Sequence, residues 1–535
     1  YIEKTEGTIR MTGNVHAESR IWDGQAMLPD GKWVDWVAVR QNLEEDTLGR
    51  GPKNRPAVPE LGTVTHPFTA YGFKELPQDE TLLIRNATIW TCEKEGILKD
   101  GDLLIHKGKI VAVGQNLTTN DYFGKIKPTV TVFDARGLHI TPGIIDEHSH
   151  VVIRGGVNEG TQASSAEVSI ATSLDAEDID MYRHLAGGVT AAQLLHGSAN
   201  PIGGQSAMVK FRWGLTEDEL LVKGAAPFIK FALGENVKQS NWGDDQTVRF
   251  PQSRMGVEQV YYDHFILARE YGEAWNTFEE ALMKTTRREQ RRGELPNAPR
   301  RDLELEALWQ ILNQERFVTC HSYRQDEINM LIHVADSMGF TLNTFTHILE
   351  GYKVADKMKA HGAGGSSFSD WWAYKFEVKD AIPYNGAILW SQGIVTAFNS
   401  DDAEMARRLN QEAGKAVKYG GVPEEEALKF VTLNPAKLLH LDHRMGSLKV
   451  GKDADFVIWT DHPLSIYAKA KKTYIDGRCY YDADRDVTMR EEINTERARL
   501  IQAMLNEGES GAPTRKPKEK VKQHYHCDTV TEENR

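Results

Sequence analysis

Residues 141–150 read Thr141-Pro142-Gly143-Ile144-Ile145-Asp146-Glu147-His148-Ser149-His150, an apolar run that ends in a His-x-His pair. Side chains alternate along a strand, so His148 and His150 point to the same side of the strand that this run predicts. Two imidazoles placed in that way can hold one metal ion. A His-x-His pair is common in sequences, however, so the interpretation depends on what other segments supply.

Other apolar runs along the chain also end in side chains that can bind a metal. Val318-Thr319-Cys320-His321 and Phe345-Thr346-His347 each end in one histidine, Asp401 follows the run 394–400, and Lys230 follows Pro227-Phe228-Ile229. A lone histidine at a strand end is more often structural than a ligand. Five such strand ends in order along the chain predict a metal centre at one end of a sheet.

The middle of the chain, residues 138–437, alternates short apolar runs with helical stretches, a pattern typical of βα units around a parallel sheet. The candidate strands are 188–195, 227–233, 316–322, 341–347 and 394–400. About 300 residues of this pattern predict an α/β fold with one (β/α)8 TIM-like barrel, which typically takes about 250 residues plus insertions. The clearest helix is predicted over 257–282, where apolar residues recur at three- and four-residue steps and the aromatic ones are interpreted as core.

The segments on either side of this middle part are rich in strand patterns. Residues 81–137 and 438–485 are predicted to form the two parts of one small composite β-sandwich domain. Residues 1–80 are predicted to be an N-terminal extension, irregular or β-rich, and residues 486–535 a charged C-terminal tail.

Two charged stretches have alternative interpretations. The arginines between 287 and 301 favour a solvated loop over a binding patch, because the stretch contains Pro and Gly. His524, His526 and Cys527 could bind a metal, but their position in a charged tail makes this the less favoured interpretation.

Composition excludes several classes of protein. Of the 535 residues, 40% are hydrophobic, which permits a large core and excludes wholesale disorder. No apolar run approaches the ~18–20 residues that cross a bilayer, so we expect no membrane span. The net charge of −13 argues against a nucleic-acid partner. Four scattered cysteines do not suggest a disulfide framework. We expect a soluble protein, and the cysteines do not decide whether it is periplasmic, secreted or cytoplasmic. Because it begins with Tyr1, the chain is interpreted as a processed chain or a fragment.

The sequence resembles the amidohydrolase superfamily, whose signature on the first barrel strand is Pro-Gly-x-x-Asp-x-His-x-His. Within that superfamily it is similar to the imidazolonepropionase-related, prolidase-like branch of metal-dependent hydrolases. The resemblance covers about residues 80–480. It includes further motifs at 196–205, 231–236, 249–256, 434–436, 446–448 and 451–455.

The resemblance implies a centre of one or two metal ions. Its ligands would be His148 and His150 for one ion, His321 and His347 for a second, Lys230 as a bridging carbamate, and Asp401 beside the metal and the nucleophilic water. An ammonium has no lone pair whereas a carbamate has two anionic oxygens, so bridging requires the modified lysine. An unmodified Lys230 would instead face a carboxylate such as Glu235, leaving one metal. Zinc is the first expectation, and manganese, cobalt and iron are compatible.

The implied mechanism is hydrolysis by a metal-activated hydroxide. Metal binding lowers the pKa of water from about 15.7 towards about 7, and a metal also polarises the substrate carbonyl. Asp401 would accept the proton of the water and return it to the leaving nitrogen, first as a general base and then as an acid.

One departure from the family pattern narrows the expected substrate. The superfamily's deaminases and imidazolonepropionases have a glutamate three residues after the fifth-strand histidine, where this chain has Arg324; aromatic deamination and imidazolone opening therefore lose support. Arg324 is predicted to bind a substrate carboxylate, with a salt bridge to Asp326 as the alternative, and Tyr323 is a second candidate. His196 and Gln205 in the Gly-rich loop either contact substrate or shape the loop.

The function expected first is hydrolysis of an amide or peptide C–N bond in a small, carboxylate-bearing substrate such as a dipeptide. A hydrolase of cyclic amides or lactones and a catalytically inactive scaffold are the alternatives; the six retained candidate ligands argue against the scaffold. The expected partners are a small-molecule or dipeptide substrate, a second copy in a homo-oligomer, and a companion amidohydrolase domain from a longer precursor.

Overall fold

The computed structural model describes residues 7–16, 21–39, 62–123, 128–509, 511 and 524–528. The chain divides into two units. The first comprises Tyr1–Glu75 and Asp484–Lys522, and the second comprises Leu76–Ala483 and Gln523–Arg535. In the described part of the chain, no helix combines the length and the apolar character needed to cross a membrane.

The first unit contains a three-stranded antiparallel sheet and a long helix. Its strands β1 (Arg10–His16), β2 (Ile21–Met27) and β3 (Trp33–Val39) pair in the order β1-β2-β3. The helix spans Ala483–Glu509, so much of the segment expected to be a charged tail is helical. Ion pairs one turn apart, such as Arg490–Asp486 at 2.7 Å, support a helix of this charged composition.

The second unit holds the remaining strands and helices. Its strands are β4 (Leu82–Trp90), β5 (Ile97–His106), β6 (Lys109–Gly114), β7 (Thr131–Asp134), β8 (His139–Pro142), β9 (Ile144–Ser149), β10 (Val189–Leu194), β11 (Ile202–Gln205), β12 (Ala207–Lys210), β13 (Phe228–Ala232), β14 (Phe317–Ser322), β15 (Thr344–His347), β16 (Gly364–Ser367), β17 (Thr396–Phe398), β18 (Phe456–Trp459), β19 (Ala470–Ile475) and β20 (Arg478–Asp482). Its helices are α1 (Ile179–Ala186), α2 (Glu217–Leu220), α3 (Arg254–Lys284), α4 (Arg287–Arg292), α5 (Leu303–Leu312), α6 (Gln325–Met338), α7 (Ala355–His361), α8 (Asn385–Ser391), α9 (Ala403–Ala406), α10 (Leu409–Gly420), α11 (Glu424–Lys429) and α12 (Leu433–Leu438), and the helix Ala483–Glu509 is α13.

Strands from the two flanks of the second unit pair in one eight-stranded sheet. The order is β20-β19-β18-β8-β4-β5-β6, with β7 also on β4. One face carries a buried apolar cluster in which the rings of Phe456 and Tyr474 stack at 4.5 Å. This sheet includes β8 and therefore extends to Pro142. Residues 139–142, which we expected at the start of the barrel segment, thus belong to the eight-stranded sheet.

The part of the chain between these flanks contains the expected βα units. Strands β9 and β10 are parallel, and β13 to β17 form a parallel run in chain order. The described ladders form a three-stranded sheet, β12-β10-β9, and a six-stranded sheet, β11 followed by β13 to β17, rather than one closed cylinder. The antiparallel strands β11 and β12 are an insertion that the sequence pattern did not predict.

Helix α3 is longer than expected and confirms the predicted apolar stripe only in part, because Val257, Val260 and Tyr261 are buried whereas Ile266 and Leu267 are exposed. Its buried face packs beneath the six-stranded sheet, and the Tyr261 hydroxyl donates to the carbonyls of Pro201 and Ala232 at 2.8 Å. The aromatic residues beyond Gly272 are only half-buried. The arginine-rich stretch is exposed as expected, but part of it forms α4, which Thr286 caps.

Candidate metal centre

The six predicted ligands meet at one end of the parallel strands. His148 lies near the end of β9, Lys230 in β13, His321 in β14 and His347 at the end of β15. His150 follows β9 directly, and Asp401 follows β17. Four of the six side chains are completely buried, and Asp401 is the most exposed at 7%. Parallel strands end at the same edge, so residues far apart in sequence converge here.

A first group of ligand atoms comprises His148, His150, Asp401 and Cys527, all within 4.8 Å of one another. His150 Nε2 lies 3.1 Å from Asp401 Oδ1, and His148 Nε2 lies 3.7 Å from the same oxygen. With Zn–N bonds of about 2.0 Å and Zn–S bonds of about 2.3 Å, tetrahedral ligand atoms stand about 3.5 Å apart. The spacing of this group is therefore that of metal ligands.

A second group comprises His321, His347 and Cys527. His347 Nε2 lies 3.4 Å from Cys527 Sγ and 3.6 Å from Asp401 Oδ2. Among the residues that the structure describes, neither ring nitrogen of His321 nor Nδ1 of His347 has a hydrogen-bond partner. Buried polar atoms without partners are costly, and a metal ion would supply the missing interaction. The donor set thus fits a metal.

Lys230 lies beside both groups. Its Nζ is 3.0 Å from His148 Nε2 and 3.1 Å from Cys527 Sγ. These contacts point the amine into the ligand cluster rather than towards Glu235, the carboxylate considered in the alternative. Carbamylation of Lys230 stays a prediction.

Hydrogen bonds to the outer ring nitrogens fix the orientation of two imidazoles. His150 Nδ1 lies 2.9 Å from the carbonyl oxygen of Leu195, which can only accept. His148 Nδ1 lies 3.0 Å from the Thr346 hydroxyl, which donates to Glu147 at 3.0 Å. Both arrangements place the proton on Nδ1 and leave the Nε2 lone pair facing the cluster, as metal-binding histidines require.

Burial sets the charge of the candidate ligands. It lowers the pKa of all four imidazoles, that of His347 to about 3, so the rings are neutral near pH 7 and can donate a lone pair. Burial acts to raise the pKa of Asp401, but the His347 and His150 rings and the Lys230 amine outweigh it and lower that pKa. The site combines neutral imidazoles with an ionised carboxylate.

Two of the candidate ligands have a left-handed backbone conformation, with φ of 66° at His347 and 48° at Asp401. Residues other than glycine adopt this region uncommonly and at some energetic cost, and such conformations concentrate at functional sites. His347 is the last residue of β15, and Asp401 lies three residues beyond the end of β17. The conformation therefore marks the points where the chain leaves the sheet and presents a ligand.

The predicted substrate-binding pair divides between two environments. Tyr323 is buried beside the cluster, with its ring 4.6 Å from that of His321 and 5.9 Å from that of His347. Arg324 donates to the Asp326 carboxylate at 3.0 and 3.3 Å, the salt bridge that the sequence left as an alternative. A role of Arg324 towards substrate is thus untested, and its guanidinium already has a carboxylate partner.

The two loop candidates take part in local hydrogen bonds. His196 Nδ1 lies 2.9 Å from the carbonyl oxygen of Gly197, and its Nε2 accepts from the Glu159 backbone at 3.2 Å. Gln205 donates to the carbonyl oxygen of Ala166 at 2.9 Å. These bonds hold the loop, and substrate contact by either residue stays a prediction.

A five-residue stretch, 524–528, which we call the docked segment, reaches the cluster through Cys527. Cys527 is completely buried and its Sγ belongs to both ligand groups, whereas His524 and His526 are exposed. The sequence did indicate that these three residues could bind a metal. It could not indicate that only the cysteine reaches the centre, because no periodic pattern connects this stretch with the strands.

A cationic pocket that the sequence analysis did not identify lies next to the cluster. Lys375 Nζ is 2.9 Å from both carboxylate oxygens of Asp528 and 4.3 Å from the centre of the Tyr323 ring. Asn236 donates to the same carboxylate at 2.7 Å. Lys375 follows an irregular stretch without a strand or helix pattern, so its position could be found only in three dimensions.

Comparisons with known proteins agree with this geometry. The sequence profile of the family described as "Amidohydrolase family" matches residues 377–479. The amidohydrolase tasK of Hapsidospora irregularis is 28% identical over 510 residues, which are 86% of this chain and 48% of that protein. This chain therefore spans about half the length of that relative. An imidazolonepropionase of Thermoplasma volcanium is 22% identical over 366 residues, 65% of this chain and 85% of that protein.

A crystal structure of an amidohydrolase from Thermotoga maritima MSB8 superposes with a TM-score of 0.65 at 30% sequence identity, covering 75% of this chain and 100% of that one. Together with the parallel βα units, this likeness implies a TIM-barrel-type α/β fold with an additional domain. The match over the whole length of that structure, the profile match and the convergent histidines support one assignment. The chain belongs to the amidohydrolase family, a family of hydrolases that act on C–N bonds.

Proposed function

We propose that this chain is a metal-dependent hydrolase that cleaves an amide or peptide C–N bond in a small, carboxylate-bearing substrate. The observation that carries the proposal is the convergence of two buried ligand groups at the carboxyl ends of the parallel strands. Family membership supports the reaction class, and the cationic pocket beside the cluster supports the substrate class.

The residues that would hold the metal are those of the two groups. In this proposal the ligands are His148, His150 and Asp401 on one side, His321 and His347 on the other, and Lys230 between them, carbamylated if two ions bind. A divalent transition metal bound there supplies Lewis acidity and lowers the pKa of water. Imidazole and carboxylate donors favour zinc first, with manganese, cobalt and iron compatible.

Asp401 is the residue that would move the proton. Its carboxylate is ionised and lies at the mouth of the ligand cluster, so it can accept a proton from an attacking water. The same carboxyl would then return the proton to the leaving nitrogen. Burial of the surrounding rings excludes bulk water and strengthens these interactions.

Lys375 and Asn236 would bind the substrate carboxylate. In the structure they hold the side-chain carboxylate of Asp528, which shows that an anion fits there. Tyr323 forms the floor of the pocket and orients the ammonium through its ring face. Arg324 pairs with Asp326 and Lys375 pairs with Glu377 at 3.1 Å, but of the two cations it is Lys375 that also holds the Asp528 carboxylate, so we assign the anion-binding role to Lys375.

The finer architecture is also part of the proposal. A closed (β/α)8 barrel over 138–437 is supported by bonds from the end of β17 back to β9, in which the Asp401 amide donates to the His148 carbonyl at 3.1 Å. The strand pairing across both flanks supports one composite β domain. Homo-oligomerisation and a companion amidohydrolase domain remain predictions.

Two measurements test the function. Metal content after gentle purification should approach one or two equivalents, and a chain carrying both His148→Ala and His150→Ala should lose at least one of them. A panel of N-acyl amino acids, Xaa-Pro dipeptides, lactams and lactones then identifies the bond. Turnover of the first two classes supports the proposal, whereas a chain without bound transition metal and without turnover would support the inactive scaffold.

The imidazolonepropionase likeness favours a second candidate, a hydrolase of cyclic amides or lactones. Lys375→Met separates the two, because it should raise KM for substrates with a free carboxylate relative to KM for neutral lactones. The matched control is Lys379→Met, an exposed lysine four residues away. Equal effects on carboxylate and neutral substrates would contradict the assigned anion pocket.

A further inference from the structure

The docked segment is attached to the groups that the proposed reaction uses. The Cys527 amide donates to both Asp401 carboxylate oxygens at 3.1 and 3.2 Å. Its carbonyl oxygen accepts from the Ser198 hydroxyl at 2.6 Å and from Asn236 at 3.1 Å. A peptide unit thus fills the space between the general base and the rim of the site, as a bound substrate would.

The Cys527 sulfur has the position of a ligand. Its Sγ lies 3.0 Å from Nε2 of His148, 3.5 Å from that of His150 and 3.4 Å from that of His347. These distances match the separation of about 3.5 Å between tetrahedral ligand atoms with one sulfur among them. Thiolate is a strong ligand for zinc and cobalt. The sulfur is the one atom that both ligand groups share.

Lys230 adds a steric argument. Its Nζ is 3.1 Å from Sγ, so a carbamate directed from that nitrogen towards the two ligand groups would need the space that the sulfur fills. Cys527 and the bridging carbamate are therefore alternative occupants of one position.

The anchor beyond the cysteine is electrostatic. Asp528 pairs with Lys375 and Asn236, while His524 and His526 lie exposed on the other side of the cysteine. The contacts named so far are those of one buried thiol, one peptide unit and one ion pair, and His524 Nδ1 also lies 3.9 Å from an Asp180 carboxylate oxygen. Such a short, polar attachment can release without unfolding the sheet beneath it.

We propose that Cys527 is a ligand of the metal centre supplied by the chain itself, and that the docked segment closes the substrate site. This inference rests on the proposed function, because the segment occupies the proposed substrate site. The Cys527 thiolate would take the position of the attacking water. The Cys527 amide is hydrogen-bonded to the Asp401 carboxylate, and Asp528 fills the pocket for the substrate carboxylate. Release of the segment opens all three positions together.

The metal-ligand part is tested by cobalt substitution of the full chain. The wild type should show an intense near-ultraviolet thiolate-to-cobalt charge-transfer band, and Cys527→Ala should lose it while still binding cobalt. Cys479→Ala, which removes a cysteine from β20, is the control and should keep the band. Cobalt binding with no such band, or a band that survives in Cys527→Ala, would overturn the inference.

The closure part is tested with acetohydroxamic acid, a small ligand that binds metals as its hydroxamate, by calorimetry on the zinc-loaded chain. Its Kd should fall by roughly tenfold or more in Cys527→Ala and in Asp528→Asn. In the wild type only the small fraction of molecules with a released segment can bind the ligand, so the apparent affinity is reduced by that fraction, and both variants increase it. Equal affinities in wild type and both variants would overturn closure. Neither readout needs turnover. A chain that shows the charge-transfer band but hydrolyses no substrate of the panel contradicts the proposed function alone. A chain that hydrolyses a panel substrate but lacks the band contradicts this inference alone.

Discussion

Asp401 is the residue on which the proposed chemistry depends most directly. We expect Asp401→Asn to keep bound metal, because the amide oxygen can still contact it, and to lower kcat by roughly 10²-fold or more, because the general base is gone. Metal analysis and steady-state kinetics on the best panel substrate measure both. Asp402→Asn, which retains a capping group for α9, is the matched control and should keep most activity. Turnover of Asp401→Asn at the wild-type rate would show that another group moves the proton.

His184 gives a pH dependence outside the metal centre. Burial lowers the pKa of His184 to about 4, with Nδ1 2.6 Å from the Asp180 carbonyl oxygen. In the unfolded chain His184 has a pKa of about 6.5, so below that pH the unfolded chain binds a proton that the folded chain does not bind. The free energy of unfolding therefore falls as the pH drops from about 6.5 towards 4, by about 3 kcal/mol in all.

His184→Gln should therefore lose less stability than wild type between pH 7 and pH 5 in urea unfolding. Exposed His443→Gln is the control and should behave as wild type. Identical pH dependence in wild type and His184→Gln would contradict the buried neutral state.

Some residues of the candidate site can be recognised from the sequence immediately around them, and others cannot. His148, His150, His321 and His347 each end an apolar run, so the sequence places them at strand ends, and the sheet brings those ends together. Cys527 is attached through Asp401, Ser198 and Asn236, none of which lies near it in the chain. Contacts of that kind leave no trace in periodicity.

The same distinction holds for whole elements. Five predicted strands are present, but two are clearly shorter than predicted: the run 341–347 forms a strand only over Thr344–His347, and the run 394–400 only over Thr396–Phe398. Apolar residues continue into the turns beside each strand, so hydrophobicity alone extends the element. Helix α13 was not predicted, because its stability comes from charged pairs rather than from an apolar stripe.

Helix α3 offers a test of packing against propensity. A Cβ added to Gly272 would lie 2.2 Å from the ring of Trp309 in α5, far inside van der Waals contact. Gly272→Ala should thus destabilise the chain by about 1–3 kcal/mol through overpacking, although alanine favours a helix by about 1 kcal/mol. Urea unfolding measures the difference. Asn276→Ala, an exposed position of the same helix, should be neutral or slightly stabilising, and a stabilised Gly272→Ala would show that α5 moves freely.

At the scale of the molecule, the second unit has to join the sheets that carry the site to the eight-stranded sheet. Lys210 at the end of β12 is completely buried, and its Nζ lies 2.8, 2.8 and 2.6 Å from carboxylates of Asp453, Asp455 and Asp476. The three acids have the arrangement of a cation site, but the lysine already supplies the cation. Burial acts to lower the pKa of Lys210, and the three carboxylates outweigh it and raise that pKa.

Lys210→Met should therefore be among the most destabilising substitutions in this chain. Methionine fills the same volume without charge and leaves the buried Asp455 without its lysine partner, whereas Asp453 and Asp476 keep other cations, at a cost of about 3–5 kcal/mol near pH 8. Burial raises the pKa of Asp455 to about 6, so this acid is protonated near pH 5, and the loss should be smaller there. Urea unfolding at both pH values measures it. Lys109→Met removes a half-exposed partner of Asp453 and should cost only about 1 kcal/mol or less. A Lys210→Met chain as stable as Lys109→Met at pH 8 would mean that apolar contacts alone join the two sheets.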